Sequence, residues 1–418
     1  MTQNLPYLEV SEARQRLLAH FAPLEPEDIS LAECVGRILA EDIFAPYDLP
    51  PFPNSAMDGF AVRAADVANA SQQKPAKLRV IADIPAGRTP DTVIQPGEAA
   101  RIMTGAPLPE GADCVIPVED TDFNYRQPGL PAPSEVCIYR ATREGANVRP
   151  AGEDVKRGEL VMNAGHRLRP QDAGLLSMLG QAHVKVRRRP RIAIFSSGDE
   201  LVDVNQPLSP GKIHDANSYT LVGLVRQSGG EAINLGVAAD NPHAVRALLE
   251  RAVQSEADLI VSSAGVSVGA LDFVRSVVEQ EGSLTFWRVN MRPGKPIAFG
   301  NYHGIPFIGL PGNPVSAYVG FEVFVRPALL KMQGAVQLER HWQIARLMEP
   351  VESDGRETYL RATVRFHEDE IQARFTGHQG SGNLLSLVQA NALLFIPSGV
   401  KSLPSGSLVR IFLLDEVV

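Results

Sequence analysis

The sequence predicts a multidomain protein of the α/β plus β class, in which a doubly wound parallel-sheet domain is combined with an inserted β domain and a small, barrel-like C-terminal β domain. Between residues 191 and 330, strand-like apolar runs alternate with helical segments at the spacing of βαβ units. Short β-like runs separated by glycine and proline precede this region, and β character returns from about residue 336. The 418 residues also exceed one hydrophobic core, so several domains are expected.

Four domains are predicted from these changes in pattern. Helical patterns lie on both sides of a proline-rich stretch, Pro46–Pro53, which suits neither a helix nor a central strand. A second short helix could form over Leu31–Ala40. The predicted domains are a discontinuous N-terminal helical linker domain (residues 1–50 and 155–188), an inserted β domain (51–154), an α/β domain (189–332) and a C-terminal β domain (336–418).

Composition and charge argue against several classes of protein. A net charge of -8 argues against a nucleic-acid binder, because such proteins present a basic surface. No apolar run approaches the length of a membrane span, and the first residues lack the pattern of a signal peptide. Cys34, Cys114 and Cys137 form no CxxC pair, so neither a disulfide framework nor a zinc knuckle is predicted. A cytoplasmic location is therefore expected.

Turn-forming and charged residues follow the apolar runs of the predicted α/β domain. The run Leu259–Ala264 ends in the glycine loop Gly265–Gly269, and the motifs Arg292–Pro296 and Gly309–Pro314 come after it. A continuous apolar run is typical of a strand buried on both faces of a parallel sheet. Ligands of such sheets bind beyond the carboxyl ends of the strands. These loops therefore predict a pocket for an anionic ligand.

The glycine loop by itself is weak evidence for a phosphate site. Gly265 and Gly269 match neither the P-loop, because no Gly-Lys-Ser/Thr follows, nor the dinucleotide fingerprint. A helix N-terminus beside the loop would offer unpaired N–H groups to a phosphate. Arg292 and Lys295 could neutralise the same anion, although either one, taken singly, is more often a solvated surface charge.

Four carboxylates fall at or just after predicted strand ends, namely Asp199, Glu200, Asp240 and Asp272. Hard oxygen ligands together with a phosphate are how proteins usually hold Mg²⁺. Asp240 and Asp272 could instead cap the helices that follow them. For Asp240 the two roles stay open, whereas the position of Asp272 beside the glycine loop favours the ligand role.

The turn over Gly309–Ser316 and the lack of a nucleophile motif narrow the predicted chemistry. Pro311 and Pro314 bracket a Gly-Asn pair and fix the backbone, either as a simple rigid turn or as a preorganised ligand loop. The sequence has no Gly-x-Ser-x-Gly elbow, no His-Glu-x-x-His motif and no apparent nucleophile–base pair. We therefore expect metal- and charge-assisted handling of phosphate rather than covalent catalysis.

Taken together, the motifs resemble those of a known family. They are, in chain order, Asn54–Arg63, Met103–Pro107, Gly152–Asp154, Ser197–Leu201, Gly265–Gly269 with Asp272, Arg292–Pro296 and Leu310–Ser316. This series closely resembles the molybdopterin molybdenumtransferase family, which includes the E domain of gephyrin. The resemblance covers nearly the whole chain.

The resemblance implies a final step of molybdenum cofactor synthesis. In that family, molybdate is inserted into adenylylated molybdopterin, with Mg²⁺-dependent cleavage of the adenylate and release of AMP. It also implies an elongated homodimer of four-domain subunits, whose pocket lies between the α/β domain of one subunit and the β domains of its partner. Transient contacts with the molybdopterin adenylyltransferase and with cofactor-receiving enzymes are expected.

The resemblance also assigns roles residue by residue. The implied catalytic residues are Asp58, Thr104, Asp154, Glu200 and Asp272. The implied metal ligands are Glu200, Asp240 and Asp272. The residues implied to bind the pterin substrate or molybdate are Gly265, Ser267, Gly269, Arg292, Lys295, Pro311, Gly312, Pro314, Arg361 and Ser381. At position 292 many members carry lysine, and a guanidinium keeps the charge but changes its geometry from a point to a fork.

Two alternatives share this scaffold. One is a paralogue that inserts tungsten or handles another adenylylated substrate, because molybdate and tungstate are near isosteres. The other is a non-enzymatic scaffold that uses the same domains to bind partners. Asp58 and Thr104, outside the α/β domain, favour the enzyme over a general nucleotide-binding module, and the sequence shows no long linker or receptor-binding appendage. Fold alone does not separate these functions.

Overall fold

A computed structural model of the chain describes residues 7–123, 130–264 and 273–414. The chain divides into two compact units. The main unit comprises Met1–Glu41, Ala164–Ala173 and His183–Val418, and the inserted unit comprises Asp42–Asn163 and Gly174–Ala182. Four residues of the predicted site, Gly265, Ser267, Gly269 and Asp272, lie outside the described residues.

A six-stranded sheet forms the centre of the main unit. In spatial order its strands are Glu231–Ala238, Arg191–Ser197, Leu259–Ser263, Ile305–Leu310, Pro296–Tyr302 and Gly282–Arg288. The first four strands run parallel, whereas the last two join antiparallel. The parallel part confirms the predicted doubly wound sheet. The antiparallel edge arises because a tight turn at His303-Gly304 connects its two neighbouring strands directly.

Helices cover both faces of this sheet. They are Asn217–Gln227, Pro242–Gln254, Phe273–Glu281, Pro314–Gly320 and Arg326–Met332, and a π-helical turn, Phe321–Val325, joins the last two. Ile192 and Ile194 pack into the core on one face, while Ala193 and Phe195 pack into the core on the other. This two-sided burial explains why the strand is continuously apolar. No helix in the described ranges is both long and apolar enough to cross a membrane.

The C-terminal part of the main unit is a small closed barrel. Its strands are, in spatial order, Glu357–His367, Glu370–Phe375, Trp342–Leu347, Leu408–Leu413 and Ala392–Ile396, and the last pairs again with the first. Two short strands, Val351–Glu352 and Ser402–Leu403, form a separate pair, and Leu385–Val388 is a single helical turn. Met291–Arg292, from the α/β region, adds in parallel beside Glu357 and Thr358. This pairing brings the predicted Arg292 motif to the barrel.

The segments predicted as a helical linker contain more strand than expected. They comprise the helices Val10–Leu18 and Pro170–Met178 and the strands Pro26–Ser30 and His183–Arg187, which pair antiparallel. The second helix predicted over Leu31–Ala40 is wrong, because the helical turn stops at Glu33 and Gly36 adopts a φ of 82°. Leu39 beyond it bridges to Val186 instead.

The inserted unit is built on a five-stranded sheet. In spatial order its strands are Cys114–Pro117, Gly59–Val62, Glu98–Ile102, Ala76–Ile84 and Glu135–Ile138. The unit also contains the helix Ala64–Val67 and the short strands Ile43–Phe44, Asn54–Ser55, Val148–Arg149 and Leu160–Met162. At Gly59 a Cβ atom would lie 1.9 Å from the carbonyl oxygen of Ile116, so only glycine permits this strand pairing directly after Asp58.

Candidate active site

A cavity of about 890 Å³ opens at the carboxyl ends of the parallel strands, within the main unit. Loops that follow four strands of the sheet line it, and the closed barrel contributes further residues. Eight residues of the predicted site line this one cavity: Glu200, Arg292, Lys295, Pro311, Gly312, Pro314, Arg361 and Ser381. Loops far apart in sequence therefore meet where a parallel sheet is expected to bind its ligand.

An asparagine that the sequence analysis did not identify ties two strand ends together. The Asn217 side-chain amide, in the first turn of its helix, donates to Ser263 Oγ at 2.6 Å and to the Gly312 carbonyl at 2.7 Å. Ser263 ends one parallel strand, and Gly312 lies in the proline-bracketed turn after the next. These hydrogen bonds hold the turn rigid at the cavity wall, as the preorganised-loop interpretation requires.

Ser381 is fixed by the same turn. Asn313 Nδ2 donates to Ser381 Oγ at 3.0 Å, and the Val315 N–H donates to the Ser381 carbonyl at 3.0 Å. Because its oxygen already accepts a hydrogen bond, the Ser381 hydroxyl retains its own proton for donation to another acceptor. A bound anion would provide such an acceptor.

Arg361 is a buried cation in the cavity wall. Its side chain donates to Ser386 Oγ and to the Gly380 carbonyl, both at 3.0 Å, and the residue is only 1% exposed. Burial, together with the nearby charge of Arg292, lowers the pKa of Arg361 to about 10, so it stays charged at neutral pH. No carboxylate in the described part of the chain lies within 4.0 Å of it. A buried charge without a counterion is costly, and a bound anion would relieve that cost.

Lys295 and Arg292 extend the positive charge along the cavity. Lys295 Nζ lies 4.8 Å from the centroid of the Tyr7 ring, close enough for a cation–π interaction. A hydrogen bond with Lys295 lowers the pKa of the Tyr7 phenol. Arg292 Nη1 lies 4.0 Å from Asp354 Oδ2. No pattern in the sequence points to Tyr7, which is 288 positions away from Lys295 along the chain.

Glu200 also lines the cavity, and the neighbouring backbone makes room for it. A Cβ atom on Gly198 would lie 2.6 Å from Glu200 Oε2. Any larger residue at position 198 would therefore displace the Glu200 carboxylate. The Ile213 N–H donates to the Glu200 carbonyl at 2.8 Å. Glu200, one of the predicted metal ligands, therefore lines the same cavity as Arg292, Lys295 and Arg361.

Asp240 is at a neighbouring strand end but is not among the residues that line the cavity. Its Oδ2 accepts from the Asp199 N–H at 3.2 Å, and its own N–H donates to Asp199 Oδ1 at 3.0 Å. The helix Pro242–Gln254 is capped by Asn241, whose side chain accepts from the Ala244 N–H. The helix-capping role considered for Asp240 therefore belongs to Asn241.

The described ranges contain no group of three or more His, Cys, Asp or Glu side chains arranged to hold a metal ion. A fully protein-bound metal cage is therefore not formed by these residues. Glu200 and Asp240 offer the hard oxygen atoms that suit Mg²⁺ when substrate phosphates and water complete its coordination shell. Asp272, the third predicted ligand, lies outside the described residues.

In the inserted unit, two of the predicted catalytic residues are in direct contact. Asp58 Oδ1 accepts from the Thr104 N–H at 2.8 Å and from Thr104 Oγ1 at 2.7 Å. Asp154 is instead paired with Arg149, whose Nη2 donates to Asp154 Oδ2 at 2.8 Å. The structure therefore brings Asp58 and Thr104 together, and it holds Asp154 in a separate ion pair.

Family models match three successive parts of the chain. Residues 8–180 match the MoeA N-terminal region (domain I and II), residues 193–331 match a probable molybdopterin binding domain, and residues 344–414 match the MoeA C-terminal region (domain IV).

Named relatives and solved structures match over nearly the full length. The molybdopterin molybdenumtransferase of Nostoc sp. is 39% identical over 91% of this chain and 87% of that protein. The protein of the same name from Haemophilus influenzae is 37% identical over 97% of this chain and 98% of that protein. A crystal structure of the molybdopterin biosynthesis MoeA protein from Pyrococcus horikosii superimposes with a TM-score of 0.82 at 34% identity, covering 99% of this chain and all of that one.

Proposed function

The chain belongs to the molybdopterin molybdenumtransferase family and is a transferase, and from this membership we propose that it inserts molybdate into adenylylated molybdopterin. The reaction releases AMP and depends on Mg²⁺. The product is the molybdenum cofactor. The observation that carries the proposal is the cavity in the main unit, where Arg361 is buried without a carboxylate partner among the described residues.

The cavity suits two anionic groups, an oxyanion and a phosphate. Molybdate is a compact tetrahedral ion with two negative charges. The adenylylated substrate carries its negative charge on its phosphate groups. Arg361 and the Ser381 hydroxyl would donate to one anion from the barrel side. Lys295 and Arg292 would donate to the other from the α/β side. Because Asn217 and the two prolines fix the walls beforehand, little ordering is required when the ligands bind.

In the proposed reaction Glu200 and Asp240 would hold Mg²⁺, with phosphate groups of the substrate as further oxygen ligands. When bound, the ion would neutralise charge on the phosphate that is cleaved. Pro311 and Pro314 hold the turn whose carbonyl at Gly312 is bonded to Asn217, so that the ligand loop stays in place. Asp58 and Thr104 also take part, with the Asp58 carboxylate orienting the Thr104 hydroxyl.

A homodimer is part of the proposal. The inserted unit exposes several large apolar side chains. Phe44 is 53% exposed and Leu160 is 43% exposed, and the two face each other across a short antiparallel strand pair. Phe52 and Met178 of the same unit are also exposed. Burying such residues between two copies would remove apolar surface from water. Light scattering of a Phe44→Asp variant, expected to shift towards monomer, tests this.

The cellular setting completes the proposal. The enzyme acts in the cytoplasm, receives adenylylated molybdopterin by transient contact with a molybdopterin adenylyltransferase, and passes its product to cofactor-receiving enzymes. The net charge of -8 is consistent with soluble, non-nucleic-acid partners.

The test is a reconstituted reaction with purified protein, adenylylated molybdopterin, Mg²⁺ and molybdate. We expect molybdate-dependent release of AMP and formation of cofactor that activates an apo-molybdoenzyme. Tungstate in place of molybdate, tested in parallel, separates the tungsten-inserting alternative. If AMP is not released under any of these conditions while the protein is folded, the proposed function is wrong and the scaffold alternative gains support.

A further inference from the structure

Arg356 is a cation of the cavity wall that the sequence analysis did not identify. Its Nε donates to Asp354 Oδ2 at 3.0 Å, and its Nη2 contacts the same oxygen. Its Nη1 donates to the Met291 carbonyl at 3.0 Å, and its backbone N–H donates to Asp354 Oδ1 at 3.2 Å. Acceptors on both sides therefore fix this guanidinium in one orientation.

The Asp354 carboxylate also faces a second cation of the cavity. Arg292 Nη1 lies 4.0 Å from Asp354 Oδ2, beyond hydrogen-bond distance but close enough for charge attraction. The hydrogen bond from Arg356 lowers the pKa of Asp354, and the charges of Arg356 and Arg292 add to the effect. Asp354 is therefore ionised at neutral pH. It accepts hydrogen bonds from Arg356 and makes only a longer charge–charge contact with Arg292.

The backbone holds these three residues in register. Met291 and Arg292 pair in parallel with Glu357 and Thr358, immediately after the Asp354–Arg356 loop. Because Arg356 also bonds to the Met291 carbonyl, the loop is attached to this strand pair at two points. Asp354 cannot move away from Arg292 without breaking these contacts.

The cavity therefore has two kinds of cation. Arg356 and Arg292 have a carboxylate near them, whereas within the described ranges Arg361 and Lys295 have none within 4.0 Å. A cavity that binds anions must also let an anionic product leave. A fixed negative charge beside two of four cations reduces the positive potential without removing any donor.

We infer that Asp354 is a positioning residue of this cavity, which orients Arg356 as a donor and moderates the attraction for anions near Arg292. The inference rests on the proposed function, since it concerns how that site binds and releases its ligands. Asp354 itself does not contact the reacting groups. Its effect reaches them through the two arginines.

The test uses Asp354→Asn, which removes the negative charge. Asparagine keeps the size of the side chain and an oxygen that can accept from the Arg356 backbone N–H. We expect molybdate and AMP, each titrated alone, to bind about 3- to 10-fold more tightly at low ionic strength. The difference should vanish near ~1 M salt, where charges are screened over a few ångströms. In turnover, kcat and KM should fall together, because the anionic substrate binds more tightly and AMP leaves more slowly. Asp354→Glu should restore values near the wild type.

Two controls separate positioning from a merely structural role. Glu370→Gln removes the Arg346–Glu370 pair, 2.6 Å long and on the same barrel, and should leave anion binding unchanged. Labelling of Arg356 with phenylglyoxal, followed by mass spectrometry, should be several-fold faster in Asp354→Asn than in the wild type. A structural role alone would lower the melting temperature without tightening anion binding.

The outcomes are distinct. Wild-type protein that binds both anions, with Asp354→Asn binding equally or more weakly and with the same salt dependence, overturns this inference and leaves the proposed function intact. Unchanged labelling of Arg356 also overturns it, because the pair would then not restrain the guanidinium. Wild-type protein that binds neither molybdate nor AMP overturns the proposed function, and this inference with it.

Discussion

Arginine side chains at the two ends of the parallel sheet have different kinds of partner. At the amino end, Arg188 donates to both oxygens of Asp258, each at 2.7 Å, and the Arg191 N–H donates to the same carboxylate at 2.8 Å. At the carboxyl end, Arg361 is more deeply buried, but among the described residues its guanidinium bonds only to a hydroxyl and a carbonyl. The Asp258 pair raises the pKa of Arg188, whereas burial lowers the pKa of Arg361.

The difference separates a charge that stabilises the fold from one that is reserved for a ligand. At the amino end, the charge of Arg188 is balanced by the carboxylates of Asp258 and Glu25, and Asp258 joins the starts of two adjacent parallel strands. The carboxyl-end cation has no carboxylate partner among the described residues, at a cost in stability, in a cavity where Arg292 and Lys295 add to the positive charge. Loss of the first should therefore affect folding, and loss of the second should affect binding and catalysis.

The largest expected effect is at Arg361. Arg361→Met keeps much of the side-chain volume but removes the charge and its donors, and we expect molybdate-dependent AMP release to fall about 100-fold, as for the loss of charge-assisted hydrogen bonds. Because the change removes a buried charge that has no carboxylate partner within the described ranges, the melting temperature should stay equal or rise. AMP release and thermal unfolding, measured on the same preparation, check both parts. A variant that is inactive only because it unfolds would remove the contrast.

Asp258→Asn should give the reverse pattern. It breaks the bidentate pair with Arg188 and leaves the partly buried guanidinium with only its longer contact to the exposed Glu25, at 3.3 Å, which should lower the free energy of unfolding by about 2 kcal/mol. Anion binding by the folded protein should not change. Urea unfolding and molybdate titration at a permissive temperature are the two measurements. Weakened binding in the fully folded variant would show that the two ends are not independent.

A smaller effect is expected where Asn313 orients Ser381. Asn313→Ala and Ser381→Ala should each weaken molybdate binding by about 1 kcal/mol, the usual net value of a hydrogen bond. The double variant should lose much less than the sum, because both changes remove the same oriented hydroxyl. A double-mutant cycle on the dissociation constants measures this coupling. Strict additivity would mean that Asn313 does not act through Ser381.

The smallest effect is expected at Lys295. Lys295→Gln removes a charge that lies near Tyr7 at the cavity and should weaken anion binding about 3- to 5-fold at low salt. Near ~1 M salt the difference should disappear, unlike the Arg361 defect, since exposed charges are screened far more than buried ones. Dissociation constants at two ionic strengths distinguish the residues. Binding that is unaffected at low salt would identify Lys295 as a surface charge.

The sequence predicted those features that depend on local pattern. Continuous apolar runs such as Leu259–Ser263 identified the buried strands, and the turns after them located Arg292, Lys295 and Pro311 at one edge of the sheet. The helix expected over Leu31–Ala40 failed because Gly36 and the pairing of Leu39 with a distant strand override a local helical pattern.

Other parts of the site required contacts between distant residues. Asn217 bonds to Gly312, and Asp354 faces Arg292, but neither spacing leaves a pattern in the sequence. Arg361 was identified from the family resemblance alone, since its burial without a carboxylate partner among the described residues becomes visible only in three dimensions. The sequence also did not show whether Asp240 caps the following helix. In the structure its neighbour Asn241 is the capping residue.

The central claim is that Arg361, which has no carboxylate partner in the part of the chain that the structure describes, binds an anionic ligand. Isothermal titration of molybdate into the wild type, Arg361→Met and Asp258→Asn, at one low ionic strength, tests it most directly. We expect the wild type and Asp258→Asn to bind with the same dissociation constant, and Arg361→Met to bind about 100-fold more weakly. Equal binding by the wild type and Arg361→Met, with both proteins folded, would contradict the claim.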